Sequence, residues 1–312
     1  MSKRFSTNLA LNSLSFGQSS LMFLREYIQN YAEYSQKWDL NGLFPIGQPD
    51  LSAQSPEAQA LIIPKINEYI QRGMETHNRK TDPCFKLWHL SSSLESFSEE
   101  NLLLSFYELD SPTKYEINVA KNNKIAFSSK YCCDIFESYG AKPIHIPLAF
   151  DKYNFKQIDR KFADNRIVFN VVGKFEKRKA HAKVFKAWLR RFGRDNRYAL
   201  QAAIYNPFLP NPEQQNQAIC QALTNNERQH TTTFLGHMVQ NSAYNDFLNS
   251  SNIVIAMSCG EGWALPEMTS VALGKHAVVL RAHAHLDWAT PENSVLVDPN
   301  GKQPAADGFF FH

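Results

Sequence analysis

The sequence lacks the features that mark several classes of protein. Its 312 residues include only five cysteines, and no two of them have the CxxC spacing of a redox or zinc motif. We therefore expect free thiols in a reducing cytoplasm and no cysteine-rich zinc site. No apolar run approaches the roughly 20 residues that a membrane-spanning helix needs. The first residues, MSKRFSTNLALNSLSF, do not have the pattern of a signal peptide.

The glycine turns lack a dinucleotide-binding motif, and the net charge is low. Neither glycine-containing turn, at Gly17 or at Gly173, reads GxGxxG, which argues against a dinucleotide-dependent oxidoreductase. The net charge is only +3, so the overall charge gives no indication of a nucleic-acid partner. Positive charge is concentrated, however: residues 174–197 hold ten Lys or Arg against two acids. The hydrophobic content of 43% suffices for two cores of ordinary size.

Short β-runs alternate with helical patterns along most of the chain, which predicts an α/β protein with parallel sheets. A polar, aperiodic segment at 151–165 interrupts the alternation. We therefore predict a domain at 1–150, a linker at 151–165 and a second domain at 166–312. In the first domain we predict a glycine turn around Gly17 and a loop over residues 39–60.

Three polar residues of the first half lie at or beyond the carboxyl ends of predicted strands. His89 ends a strand that begins at Phe85, and Glu108 and Asp110 follow the strand Asn101–Tyr107. Parallel sheets bind their ligands at this edge, so these residues are candidate site residues. The alternative reading, that each is a cap or a solvated side chain, remains open.

The second half is organised around residues 252–280. A buried strand is predicted at Ile253–Ala256, followed by a small-residue loop that carries Glu261 and by a helix that starts near Leu265. Gly274 ends that helix, and another strand follows. A strand, a glycine loop and a helix N-terminus together form the arrangement by which α/β proteins hold an anion, although an ordinary turn has the same pattern.

Upstream, a strand over 166–172 closes at Gly173. Lys174 follows it, and Lys179 lies five residues further on, near a helix start. Both lysines could reach phosphate oxygens and stabilise the charge of a leaving group. The other basic residues nearby are predicted to lie on a solvated face: Lys177, Arg178, Lys183 and Lys186.

These two stretches resemble motifs of the GT-B glycosyltransferases, especially the nucleotide-sugar enzymes of family 4. The run VVGKFEKRKAHAKVFKAW resembles their strand, Gly-Arg/Lys turn and distal lysine, and CGEGWALPEMTSVALGKHAVV resembles their donor loop, EGFGLPxxEAMAxGxPVV. The resemblance is good over about 166–299 and architectural before that. It implies two Rossmann-like β/α/β domains facing each other across a cleft. It also implies transfer of a sugar from a nucleotide-sugar donor to an acceptor hydroxyl.

The resemblance assigns roles by position. Lys174 and Lys179 match residues that bind the diphosphate, and Glu261 matches the glutamate that contacts the donor sugar. The second glutamate of the motif, which holds the ribose hydroxyls, falls on Thr269, and the acid nearest to it is Glu267. This departure leaves the nucleotide open. The remaining candidate donor-binding residues are Gly173, Gly262, Trp263, Ala264, Leu265 and, in the first half, Gly17.

The resemblance also implies chemistry without a cofactor or metal, because basic side chains neutralise the diphosphate of a co-substrate such as a UDP- or GDP-sugar. Most such enzymes retain configuration and have no dedicated base. His89, Glu108 and Asp110 would then lie on the acceptor side, and His89 would be the base of an inverting enzyme. The grouping of His283, His285 and Asp287 is predicted to line a loop. The acceptor, whether glycan, lipid, protein or modified nucleic acid, and the oligomeric state are open.

Other classes remain as alternatives. An epimerase or hydrolase of sugar nucleotides would share the fold and the phosphate site. A nucleic-acid-binding protein would use the basic stretch 174–197, and the two ideas combine in a glycosyltransferase that modifies DNA bases. The sequence after Pro299 predicts no closing helix and ends in three phenylalanines followed by a histidine. We therefore expect either a truncated chain or one whose closing element is supplied differently.

Overall fold

The computed structural model describes residues 2–76, 80–95, 97–159, 165–206, 208, 211–224 and 231–306. The chain forms two compact units. The first is Met1–Tyr153 with Val239–Asn241, and the second is Asn154–Met238 with Ser242–His312. The terminal phenylalanines and part of the predicted linker lie outside the described residues.

The described part of the predicted linker is bonded to folded structure. Within the first unit, the Tyr153 hydroxyl donates to the Glu26 carboxylate at 2.5 Å. Within the second, the backbone N–H of Lys156 donates to the Asn245 side chain at 3.0 Å. This segment is therefore anchored despite its polar, aperiodic sequence.

The first unit contains a parallel six-stranded sheet in the order β2-β1-β3-β4-β5-β6. Buried side chains of the strands and helices, among them Leu9, Leu43 and Ile62, form its larger core. The elements are β1 (Lys3–Ala10), α1 (Ser15–Gln29), α2 (Tyr31–Tyr34), β2 (Trp38–Ile46), α3 (Pro56–Thr76), β3 (Cys84–Leu87), β4 (Asn101–Ser105), α4 (Lys114–Asn122), β5 (Lys124–Phe127), α5 (Lys130–Ser138) and β6 (Ile144–His145).

The prediction of a loop over residues 39–60 is wrong, because β2 occupies its first part. The sequence WDLNGLFPI reads as a turn, yet β2 is the edge strand, where a proline is tolerated. A Cβ at Gly42 would lie 3.0 Å from the Cα of Gly73, so this glycine allows α3 to approach the strand.

The predicted turn around Gly17 is also wrong, because Gly17 lies in the first turn of α1. A Cβ at this position would lie 2.3 Å from the backbone oxygen of Asn12. Glycine at this position therefore allows the preceding segment to approach the helix closely.

The second unit contains another parallel six-stranded sheet, in the order β12-β11-β10-β7-β8-β9. The predicted bounds of the strand Ile253–Ala256 are confirmed. The elements are β7 (Ile167–Gly173), α6 (His181–Phe192), β8 (Tyr198–Ile204), α7 (Pro212–Thr224), β9 (Thr232–Leu235), α8 (Asn241–Asn249), β10 (Ile253–Ala256), α9 (Leu265–Ala272), β11 (His276–Leu280) and β12 (Ser294–Val297).

Helix α6 is strongly amphipathic and shows how this sheet is covered. Its apolar face places Val184, Phe185 and Trp188 in the core that also contains Val171 of β7 and Leu200 of β8. The resulting packing fixes the carboxyl end of β7 and the short segment that joins it to α6. That segment carries the predicted phosphate-binding lysines.

Two findings concern the expectations about membrane-spanning helices and cysteines. No helix within the described ranges is long and apolar enough to cross a membrane. Four cysteines of the described chain have free thiols: Cys84, Cys132, Cys133 and Cys259.

Candidate functional site

The candidate site begins where β7 ends, at Gly173. The backbone of Gly173 has φ +114°, a conformation that side-chain-bearing residues rarely adopt. A Cβ there would lie 3.4 Å from Cε of Lys179. Glycine therefore allows the strand to end in this conformation and lets the Lys179 side chain lie against it.

A short 3-10 turn, Lys177–Lys179, directs two basic side chains inward. It ends at Ala180, whose φ of 54° is in the left-handed region, and α6 follows. Arg178 and Lys179 are only 4% and 8% exposed. The prediction that Arg178 lies on a solvated face is therefore wrong.

The loop after β10 is bonded to this turn through its backbone. The N–H of Cys259 donates to the carbonyl of Arg178 at 2.7 Å, and Nη1 of Arg178 donates to the carbonyl of Gly260 at 2.7 Å. Strands β7 and β10 are paired in parallel, so their carboxyl ends lie at the same edge of the sheet. Ala264, with φ 62°, then ends the loop and starts α9.

Charged side chains of the two segments form a buried network. Oε1 of Glu261, 4% exposed, accepts from Lys179 Nζ and, at 3.2 Å, from Arg178 Nη1. Glu176 forms ion pairs with Arg178 Nε at 2.9 Å and with Lys174 Nζ at 2.8 Å. Three cations therefore share two carboxylates, and Lys174 is the most exposed of the three.

The network holds Glu261 and Lys179 in their charged forms. Burial disfavours a charge on Glu261, but the attraction of Lys179 and Arg178 outweighs it and holds the pKa of this carboxyl far below its usual range. Burial likewise opposes the charge of Lys179, and the attraction of Glu261 outweighs it and raises the lysine pKa. A buried pair of this kind is costly unless each charge has partners, and here both have them.

Both candidates for the second glutamate of the motif lie in α9. Glu267 lies in the first turn of α9 and is fully buried. Burial raises the pKa of its carboxyl, and the positive charge of Lys179 opposes this rise. Thr269 lies in the same helix and is 5% exposed. The remaining predicted donor-loop residues are all in the segment from the loop to the start of α9: Gly262, Trp263, Ala264 and Leu265.

A second buried group packs beside the donor loop. His283, with φ 41°, and His285 lie in the 3-10 turn His283–Asp287, with ring centroids 4.9 Å apart. Burial lowers the pKa of each, that of His283 to about 4 and that of His285 to about 3. Trp288 Nε1 donates to the carbonyl of Trp263 at 3.0 Å, which ties this turn to the donor loop. Sequence reasoning treated it as a loop lining and missed the contact.

The same turn carries three side chains of types that bind metals, His283, His285 and Asp287. In the part of the chain that the structure describes, no group of three or more His, Cys, Asp or Glu side chains could hold a metal ion. His285 Nδ1 donates instead to the carbonyl of Leu280 at 3.1 Å.

The candidates of the first unit lie beyond the strands that were predicted to carry them. His89 lies two residues after the end of β3, and its exposed ring packs against Phe16 with centroids 4.8 Å apart. Glu108 and Asp110 follow β4 and are half-buried. Asp110 accepts from the Ser111 hydroxyl at 3.1 Å.

The sequence matches no protein-family model and no curated protein. Solved structures are similar in fold. The sucrose-phosphate synthase from Thermosynechococcus elongatus has a TM-score of 0.67 at 12% identity, over 96% of this chain and 86% of that one. The lipopolysaccharide outer core galactosyltransferase WaaB has a TM-score of 0.58 at 14% identity, over 96% and 86%.

A third similar structure, described as trehalose-6-phosphate from E. coli bound with UDP-2-fluoro glucose, has a TM-score of 0.55 at 10% identity, over 88% of this chain and 84% of that one. Together with the two parallel six-stranded sheets, these similarities show that the chain has the GT-B fold of glycosyltransferases. The predicted α/β architecture is confirmed.

Proposed function

We propose that the protein is a glycosyltransferase that moves a sugar from a nucleoside-diphosphate sugar to an acceptor hydroxyl. The observation that carries this proposal is the buried network of Arg178, Lys179 and Glu261 at the carboxyl ends of β7 and β10. It lies in a chain with the GT-B fold, at the edge of the sheet where parallel α/β proteins bind ligands.

Each group has a task in this reaction. The leaving diphosphate carries negative charge that grows as the bond to the sugar breaks. Lys179 and Arg178, preorganised by their ion pairs, would stabilise that charge, with Lys174 at the more exposed side. Glu261 would accept hydrogen bonds from sugar hydroxyls. Because these cations supply the neutralisation, we propose transfer without a metal ion. The resemblance to the family 4 enzymes is the ground for proposing retention of configuration as well.

The network also favours this function over nucleic-acid binding. A protein that binds phosphate backbones presents its Lys and Arg to solvent. Here Arg178 and Lys179, two of the ten basic residues in 174–197, are buried and paired with carboxylates.

The test is thermal stabilisation by UDP, GDP and ADP, followed by turnover of the matching glucose nucleotides. A ligand at 100 times its Kd stabilises the protein by about 2.7 kcal/mol. We expect a shift with one nucleotide, its loss in Lys179→Met, and its retention in Lys183→Met, which removes an exposed lysine of α6.

Turnover then separates the alternatives. A glycosyltransferase needs an acceptor for fast nucleotide release and keeps its rate in EDTA. Fast turnover of the nucleotide sugar without acceptor would instead indicate a hydrolase, if the nucleotide is released, or an epimerase, if it is not. If no nucleotide stabilises the wild-type protein, or if Lys179→Met is stabilised equally, the proposed function is wrong.

A further inference from the structure

Glu267 is a buried acid without a role in the reaction proposed above. Its side chain is 0% exposed, and no side chain that the structure describes donates a hydrogen bond to either carboxylate oxygen; only its own backbone N–H lies close enough to favour the charged form. A carboxylate can accept about four hydrogen bonds, and an unpaired buried charge is among the most costly features of a protein interior. Such a group calls for an explanation.

Charged and titratable groups face Glu267 from three neighbouring segments. Lys179 and Arg178 of the 3-10 turn and Glu261 of the loop after β10 act on it electrostatically, and Glu267 in turn acts on Tyr244 of α8. Burial is the largest effect and raises the pKa of Glu267 to about 7; the attraction of Lys179 opposes the rise, and the repulsion of Glu261 adds to it. Burial and then the charge of Glu267 raise the pKa of Tyr244.

Anion binding would change this balance. A diphosphate beside Lys179 brings negative charge towards Glu267 and competes for the lysine that stabilises its ionised form. Both effects favour the protonated acid. By linkage, a ligand that favours the protonated form binds with uptake of a proton, and it binds more tightly where that form is populated.

We propose that Glu267 is a proton-linked positioning residue of the anion site, which takes up a proton when a nucleoside diphosphate binds beside Lys179 and so removes a negative charge from its surroundings. This inference rests on the proposed function. Its position in the chain distinguishes Glu267 from the second glutamate of the donor motif, because Thr269 stands at that place.

The size of the effect follows from the titration of one group. If binding raises the pKa of Glu267 by about one unit from about 7, the acid takes up about half a proton at pH 7.5. The affinity of the wild-type protein then weakens by up to about tenfold between pH 6 and pH 8.5, relative to a variant without the group.

The experiment is isothermal titration of UDP, GDP and ADP into wild type and Glu267→Gln at pH 7.5, in two buffers of different ionisation enthalpy. The difference between the two proteins cancels the ionisation of the nucleotide. We expect about half a proton less uptake in Glu267→Gln. We also expect its affinity to change less with pH. Glu292→Gln is the matched control, since Glu292 is an exposed acid outside the network, and we expect this variant to keep the wild-type uptake.

The outcomes separate the two proposals. If the wild-type protein binds none of the three nucleotides, the proposed function fails and this inference fails with it. If it binds but Glu267→Gln shows the same proton uptake, only this inference fails. A uniform loss of affinity in Glu267→Gln at every pH would make Glu267 a direct nucleotide ligand and overturn the proton-linked role. Should Glu267→Gln not fold, Glu267→Met provides the same comparison.

Discussion

The ion pair of Lys179 with Glu261 makes a quantitative prediction about stability. Lys179→Met removes the cation and keeps much of its volume, so the variant tests charge more than packing. Removing one partner of a buried pair leaves an uncompensated charge and costs about 3–5 kcal/mol. Arg178 remains 3.2 Å from Glu261, so we expect the lower end, about 3 kcal/mol.

Glu261→Gln should cost a similar amount, because it leaves Lys179 buried beside Arg178. The double variant Lys179→Met/Glu261→Gln removes both charges, so its loss should be smaller than the sum of the two single losses. We expect a coupling energy of at least about 1 kcal/mol, within the range seen for residues in contact.

Urea unfolding of wild type, the two single variants and the double variant, followed by circular dichroism, measures these differences in the free energy of unfolding. In thermal unfolding, the Tm of Lys179→Met should be lower by about 6–12 °C. Lys183→Met, at an exposed position of the same region, should stay within about 0.5 kcal/mol of wild type. Equal stabilities of Lys179→Met and Lys183→Met, or strict additivity in the double variant, would refute the buried pair.

Two further predictions concern other parts of the fold. Gly17→Ala should destabilise the protein by about 1–3 kcal/mol, because its Cβ would lie 2.3 Å from the backbone oxygen of Asn12. This loss is expected although alanine favours helices, and a variant as stable as wild type in urea would contradict the close approach. His181 is buried, and burial lowers its pKa from 6.5 to about 4, so the unfolded chain binds more protons than the native one between these values. Stability should therefore fall as the pH drops from about 6.5 towards 4, and His181→Gln should lose less stability over this range, as followed by Tm against pH.

Much of the second unit could be predicted from sequence because its signals are local. Four apolar residues make β10, Pro266 marks the first turn of α9, and Gly274 follows the end of that helix. The strand β2 was missed because its Gly42 and Pro45 are residues typical of turns. Gly42 is accounted for by the close approach of α3, and Pro45 by the edge position of β2 in the sheet, and neither can be inferred from the local sequence.

The candidate site could be predicted only in part for a related reason. Lys179 and Glu261 were predicted from their places in the two motif-like stretches, and their contact across 82 positions follows from the pairing of β7 with β10. Arg178 was not found, because a run of basic residues does not reveal which side chain a 3-10 turn directs inward. The state of Glu267 likewise depends on burial, which no local pattern supplies.

The internal ion pairs of the site also bear on how ionic strength would act on it. Mobile ions of the solvent screen charges that are exposed, over a Debye length of about 8 Å at physiological salt. Arg178 and Lys179 are instead neutralised by fixed carboxylates inside the protein. An incoming anion would replace a protein carboxylate as the partner of one of these cations, and this exchange would release few ions to the solvent. The site would therefore discriminate between ligands by their geometry far more than by their total charge.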